Sequence, residues 1–220
     1  MTRHPIKVEA AELRLDPQRI LESVDWEEVF GARRPVEVEV GIGKGRFLLA
    51  SAEARPEISW LGLEWTNKYL RIAEARASKR GLSNVRFARV DARELVERAI
   101  PSESVAAYYV FYPDPWPKKR HHKRRFIRPE TADHLARTLL PEARLHVATD
   151  HEEYWETIRA VLDGHAAFER LPEFGDATFP FPLDQPLTNF EAKYRIEGRR
   201  RLRASWRRRP GVGWQRPQST

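Results

Sequence analysis

Cysteine is absent from this chain, and methionine occurs once, at Met1. Without a thiol there is no disulfide and no thiolate metal site, so the 220 residues must rely on an ordinary apolar core. No apolar run approaches the roughly 18 residues that suggest a membrane span. The opening residues Met1-Thr2-Arg3-His4-Pro5 lack the apolar stretch of a secretory signal. These absences together lead to the expectation of a cytoplasmic protein with no membrane partner. Acids are missing from one stretch in particular. In Tyr112-Pro113-Asp114-Pro115-Trp116-Pro117-Lys118-Lys119-Arg120-His121-His122-Lys123-Arg124-Arg125, none follows Asp114. A solvated helix face would mix the two signs. This run instead sets one proline-locked carboxylate beside a dense cationic cluster, as where nucleic-acid phosphate meets a reaction centre. His121 and His122 have no third His or Cys at ligand spacing, so no metal is expected.

What is present is a regular alternation of strands and helices. Residues 1–34 read as a mixed N-terminal arm with a short amphipathic helix around Gln18–Phe30. Strands follow at Val36–Val40, Ser59–Leu63, Val85–Val90, Val105–Phe111 and Arg144–Thr149. Helices are expected at Arg46–Ala54, Thr66–Arg80, Ala92–Ile100, Pro129–Leu140 and Glu152–Leu162, with Thr66 as cap and Gly81 as stop. This order predicts an α/β fold with a mostly parallel, doubly wound sheet and helices on both faces. Phe168–Pro186 reads as an ordered loop, and Thr188–Glu197 as a helix ended by Gly198. In Arg201–Arg207, Leu202, Ala204 and Trp206 alternate with arginines, which predicts a half-buried last strand at a sheet edge, arginines outward. Residues 35–209 form the expected domain, and 210–220 a flexible tail.

In such folds ligands bind at the C-terminal ends of the strands. Glu64, Asp91, Asp114 and Asp150 all fall just past predicted strand ends. Glu39-Val40-Gly41-Ile42-Gly43-Lys44-Gly45 sits at the first strand-to-helix turn, where glycines let a ligand approach the backbone closely. Arg46 occupies the third glycine position of a dinucleotide fingerprint, and no Gly-Lys-Ser/Thr follows, so neither phosphate-binding pattern is met. The loop resembles the S-adenosylmethionine loop of class I methyltransferases with their Rossmann-like fold. Glu39 suits a cationic ligand, Glu64 can accept ribose hydroxyls, and Asp91 can accept from an adenine amino group. Each acid is also suited to capping the next helix. Pro113 and Pro115 stiffen the loop that carries Asp114, and Trp116 can stack on a base.

The Tyr112–Arg125 run resembles the signature of the bacterial tRNA (guanine-N7-)-methyltransferase family. Thr188-Asn189-Phe190-Glu191 is similar to that family's later T-x-F/Y-E motif, and Thr149-Asp150 to its T-D. The resemblance covers roughly residues 35–198. It implies a monomeric or homodimeric enzyme using S-adenosylmethionine to methylate N7 of guanosine 46 in the tRNA variable loop. It further implies that Glu39, Gly41, Gly43, Glu64, Asp91 and Asp114 contact the cofactor, with Asp114 also catalytic. Lys118, Asp150, Thr188, Asn189, Phe190 and Glu191 would contact the substrate. Arg120, His121, His122, Lys123, Arg124 and Arg125 would contact RNA.

Two other readings stay open at this point. An amino methyltransferase acting on another base or a protein amide carries an Asn/Asp-Pro-Pro-aromatic motif after the fourth strand. Here the aromatic comes one place early, and the basic run is no part of that motif. A non-catalytic RNA-binding protein with the same fold would keep the basic run but bind no cofactor.

Overall fold

The computed structural model describes residues 9–175, 188, 191–192, 196–198 and 200–211. One seven-stranded sheet organises them, in the order β3-β2-β1-β4-β5-β7-β6. The strands are β1 (Val36–Val40), β2 (Ser59–Leu63), β3 (Val85–Ala88), β4 (Val105–Phe111), β5 (Leu139–Thr149), β6 (Phe168–Arg170) and β7 (Leu202–Arg208). β1 to β5 run parallel, and β7 lies antiparallel between β5 and β6. The order reverses between β1 and β4. That reversal opens a crevice at the C-terminal edge, the place where ligands bind in open α/β sheets.

Helices cover both faces. On one lie α1 (Pro17–Glu22), α2 (Trp26–Phe30), α5 (Ala92–Arg98), α6 (Pro129–Thr138) and α7 (Glu152–Asp163), with Ile20, Phe30, Leu95, Leu135 and Ile158 buried among Val36, Val38, Leu61 and Tyr108. On the other lie α3 (Arg46–Ala54) and α4 (Asn67–Lys79), with Phe47, Leu48, Leu70 and Ala73 against Trp60, Phe87 and Tyr109. β1 alternates valine with glutamate, yet both its faces are covered, so Glu37 and Glu39 are buried. Glu37 is paired with Arg55 at 2.6 Å and accepts from the Tyr109 hydroxyl at 2.8 Å. Burial pushes its carboxyl up, against the pull of Arg55 and Tyr109.

Several expectations are corrected. Gln18–Phe30 is two short helices, because Asp25 accepts from the amides of Glu27 and Glu28 and starts a second one. The described arm, residues 9–34, contributes Leu13, Ile20, Val24 and Phe30 to the two cores. α6 ends at Thr138, and β5 begins at Leu139, which pairs with Val105 across a register shift. Phe168–Arg170 is strand rather than loop. It takes the sheet edge, so β7 is interior. Ser205 on β7 is fully buried, because the chain at Phe174–Gly175 covers that face: the Gly175 amide donates to Ser205 Oγ at 2.9 Å. Arg208 also turns inward, donating to the Leu139 carbonyl at 3.0 Å and to Glu103 at 2.8 Å. The expected tail is described only to Gly211. Among the described residues, no helix is long and apolar enough to cross a membrane.

Candidate active site

The glycine loop crosses the top of β1. Gly41, Gly43 and Gly45 have φ of 75°, 53° and 73°, a region that costs an L-residue roughly 1–2 kcal/mol. The turn is pinned by the Gly41 and Ile42 amides donating to the Leu63 carbonyl at 2.8 and 3.1 Å. A Cβ at Gly41 would meet nothing within 4 Å, so this backbone borders open space. Below it, Glu39 is 1% exposed, and its Oε2 has no hydrogen-bond partner among the described residues. Burial pushes the Glu39 carboxyl up to about 8; the nearby charge of Glu64 adds to the rise and the Leu48 amide opposes it. A buried carboxylate oxygen without a partner calls for a cation or a donor. The amino end of S-adenosylmethionine fits that demand.

Glu64, half-buried after β2, accepts from the Gly43 amide at 2.8 Å and from the Thr66 amide at 2.7 Å. A carboxylate offers about four lone-pair sites. Two therefore remain for vicinal hydroxyls. Asp91 does cap α5, accepting from the Arg93 amide at 2.9 Å. It also binds the Arg93 guanidinium at 2.7 Å, and that hydrogen bond holds its carboxyl below the usual range. Arg93 reaches on to the Lys123 carbonyl at 3.0 Å, linking the acid after β3 to the basic turn.

The loop after β4 carries backbone strain at two aromatic residues, Tyr112 with φ 53° and Trp116 with φ 45°. Such conformations persist only where the surroundings over-determine them, and they cluster at functional sites. The Tyr112 amide donates to the Ala148 carbonyl at 2.7 Å, fixing the loop to β5. Burial raises the Tyr112 phenol; Glu191 and Asp150 raise it further, against Arg201 and Arg203. Four charged groups from three regions of the chain thus act on this phenol. Neither Tyr112 nor Arg201 stood out in the sequence; Tyr112 read only as the start of the proline run. Asp114 is exposed, and Trp116 is half-buried with the Arg124 guanidinium 5.0 Å from its ring centre and His121 edge-on at 5.8 Å.

Of the later motif, Thr188 and Glu191 are described, while Asn189 and Phe190 lie outside the described residues. Thr188 Oγ1 accepts from the Glu191 amide at 3.0 Å, the reach of an N-cap. Glu191 is 1% exposed and is paired with Arg201 at 3.2 Å.

The basic run forms a 3₁₀ turn, Lys119–Arg124, beginning after Lys118. Lys118, Lys119, Arg120, Lys123 and Arg124 are exposed, and His121 and His122 half-buried. Arg125 differs from its neighbours in the run: its side chain is 2% exposed and donates to protein partners.

A family described as "Putative methyltransferase" matches residues 33–204. The tRNA (guanine-N(7)-)-methyltransferase of Vibrio parahaemolyticus is 40% identical over 173 residues, 78% of this chain and 72% of the relative. That of Leifsonia xyli is 41% identical over 170 residues, 77% and 74% of the two chains. Among solved structures, the 16S rRNA methyltransferase KamB superposes with a TM-score of 0.58 at 17% identity, covering 86% of this chain and 95% of the other. The aminoglycoside resistance methyltransferase NpmB1 gives 0.57 at 18% identity, covering 83% and 91%. At these identities the structures speak for the fold, a Rossmann-like class I methyltransferase fold.

Proposed function

This chain belongs to the tRNA (guanine-N(7)-)-methyltransferase family, and on that premise we propose that it transfers a methyl group from S-adenosylmethionine to N7 of guanosine 46 in the tRNA variable loop. The observation that carries this reading lies at the β1–β4 reversal. A buried carboxylate oxygen without a partner among the described residues, the strained Asp114 loop and an exposed basic turn share one edge of the sheet.

When bound, S-adenosylmethionine supplies an electrophilic methyl group on a sulfonium. Glu39 holds its amino end, Glu64 the ribose hydroxyls and Asp91 the adenine amine. Guanine N7 is a lone pair with no proton to remove, so the site needs no strong general base. Its work is positioning and electrostatics. Asp114 and Asp150 stabilise the positive charge that develops on the purine and accept from guanine N1–H and the exocyclic amine. Lys118 donates to O6. Thr188 and Glu191 shape the substrate wall, with Glu191 held by Arg201. Lys119, Arg120, Lys123 and Arg124 neutralise phosphates.

The test is methyl transfer from labelled S-adenosylmethionine to unmodified tRNA, with the product nucleoside identified by mass spectrometry. N7-methylguanosine, absent when the variable-loop guanosine is replaced, is the expected result. A methylated exocyclic amine would select the amino methyltransferase reading. Failure to bind cofactor would leave a non-catalytic RNA-binding protein.

A further inference from the structure

Arg125 sits inside the most basic stretch of the chain and faces away from solvent. A guanidinium has five N–H donors in a fixed fork, and Arg125 has five acceptor atoms around it. Nε donates to the Pro115 carbonyl at 2.8 Å. Nη1 donates to Glu153 Oε1 at 3.0 Å and to Thr157 Oγ1 at 3.2 Å. Nη2 donates to Glu153 Oε2 at 2.6 Å and lies 3.1 Å from His122 Nε2. The Tyr154 ring closes the group from one side, 4.7 Å from the guanidinium carbon.

These partners come from three places. Pro115 follows Asp114 directly, His122 is in the basic turn, and Glu153 and Thr157 are on α7, which starts just past Asp150. Arg125 therefore ties together the loop after β4, the basic turn and the element that follows β5. The carbonyl it holds precedes Trp116, whose positive φ needs outside support. A bidentate Arg–carboxylate pair fixes orientation as well as distance, and lysine cannot reproduce that fork.

We propose that Arg125 is a positioning residue for methyl transfer. Together with Glu153 it fixes the Pro115 carbonyl and so sets Asp114 against Asp150, without touching RNA. The inference rests on the reading of this site as a guanine-N7 methyltransferase centre.

The experiment compares the full-length protein with Arg125→Ala, Arg125→Lys, Glu153→Gln and, as a phosphate-contact control, Lys123→Ala. Three quantities are read: the single-turnover rate at saturating tRNA and S-adenosylmethionine, the tRNA Kd as a function of salt, and the Tm. Arg125→Ala is expected to lower the saturating rate by about 100-fold, the size of loss a small misplacement causes. Arg125→Lys is expected to remain well below wild type. Neither should change the salt slope, whereas Lys123→Ala should reduce it by about one. Glu153 is half exposed, so Glu153→Gln keeps the fold and decides the matter if the Arg125 variants lose Tm. It should lower the saturating rate by about tenfold with tRNA Kd within about twofold of wild type. A normal saturating rate in Glu153→Gln, or a shallower salt slope in Arg125→Ala with rescue by lysine, would overturn the proposal. The wild-type product identifies which idea has failed: without N7-methylguanosine, the functional reading falls and the proposal with it.

Discussion

Gly43 donates its backbone amide to Glu64 Oε2 at 2.8 Å, so the glycine loop after β1 and the acid after β2 form one piece. Glu64 Oε1 takes the Thr66 amide, so one side chain sets the entry to both α3 and α4. Glu64→Ala strands both amides. It should weaken S-adenosylhomocysteine binding by about 10- to 100-fold, or roughly 1–3 kcal/mol, as read by calorimetric titration. Glu64→Gln keeps one acceptor and should lie between. Equal affinities for the two variants would show that the amide contacts are irrelevant to binding.

Glu39 makes stability depend on pH. Its carboxyl ordinarily titrates at 4.5 and is raised by burial to about 8 in the fold. The folded state thus holds the proton more tightly than the unfolded chain. The contribution is full below 4.5 and is lost as pH rises toward 8, at up to about 1.4 kcal/mol per pH unit. Denaturant melts of the protein without cofactor at about pH 5.5 and about pH 7.5 should show wild type losing more stability than Glu39→Gln across that interval. A cationic amine beside Glu39 favours the ionised form. Cofactor binding should therefore tighten over the same interval in wild type but not in the variant.

The basic turn should set the salt dependence of tRNA binding. Lys119, Arg120, Lys123 and Arg124 are exposed, and each phosphate contact adds about 0.7–0.9 to the slope of log K against log salt. Replacing Lys119 and Lys123 together by alanine should cut that slope by roughly 1.4–1.8 while leaving cofactor affinity unchanged. An unchanged slope, measured by filter binding across a salt series, would remove the turn from the RNA footprint.

Gly45 answers a packing demand. Its φ is 73°, and a Cβ there would lie 3.0 Å from Ala73 Cβ on α4 and 3.3 Å from Leu49 on α3. Gly45→Ala should cost about 1–3 kcal/mol, from the left-handed backbone and the crowding where α3 packs against α4. Urea denaturation gives the number. A neutral result would mean that the α3–α4 contact yields easily.

Asp114→Asn keeps the shape of the side chain and removes its charge. The single-turnover rate should fall by about 100-fold, a typical loss for one electrostatic group aimed at developing charge. Full turnover would sink the electrostatic role.

Much of this was legible because periodicity is local. β1, β2, β4 and α3 begin and end where their sequence patterns do, and the acids after the strands fall on one edge because parallel strands all end there. Boundaries failed where a single side chain outweighed the pattern, as when Asp25 split the arm helix. A run of cations along the chain does not reveal which of them turn inward: Arg125 and Arg208 are both buried on carbonyls and carboxylates distant in sequence. Tyr112 read only as the start of the proline run, because the charges that act on it come from just past β5, from Glu191 and from the start of β7.

The sequence by itself determined the fold class, the glycine turn and the line of acids, since these follow from the order of short-range patterns along the chain. Only the tertiary structure decided which cations face solvent, which strand takes the sheet edge and which carboxylate oxygen is left without a partner among the described residues. Those outcomes depend on burial, and burial is set by segments that meet across the sheet rather than along the chain.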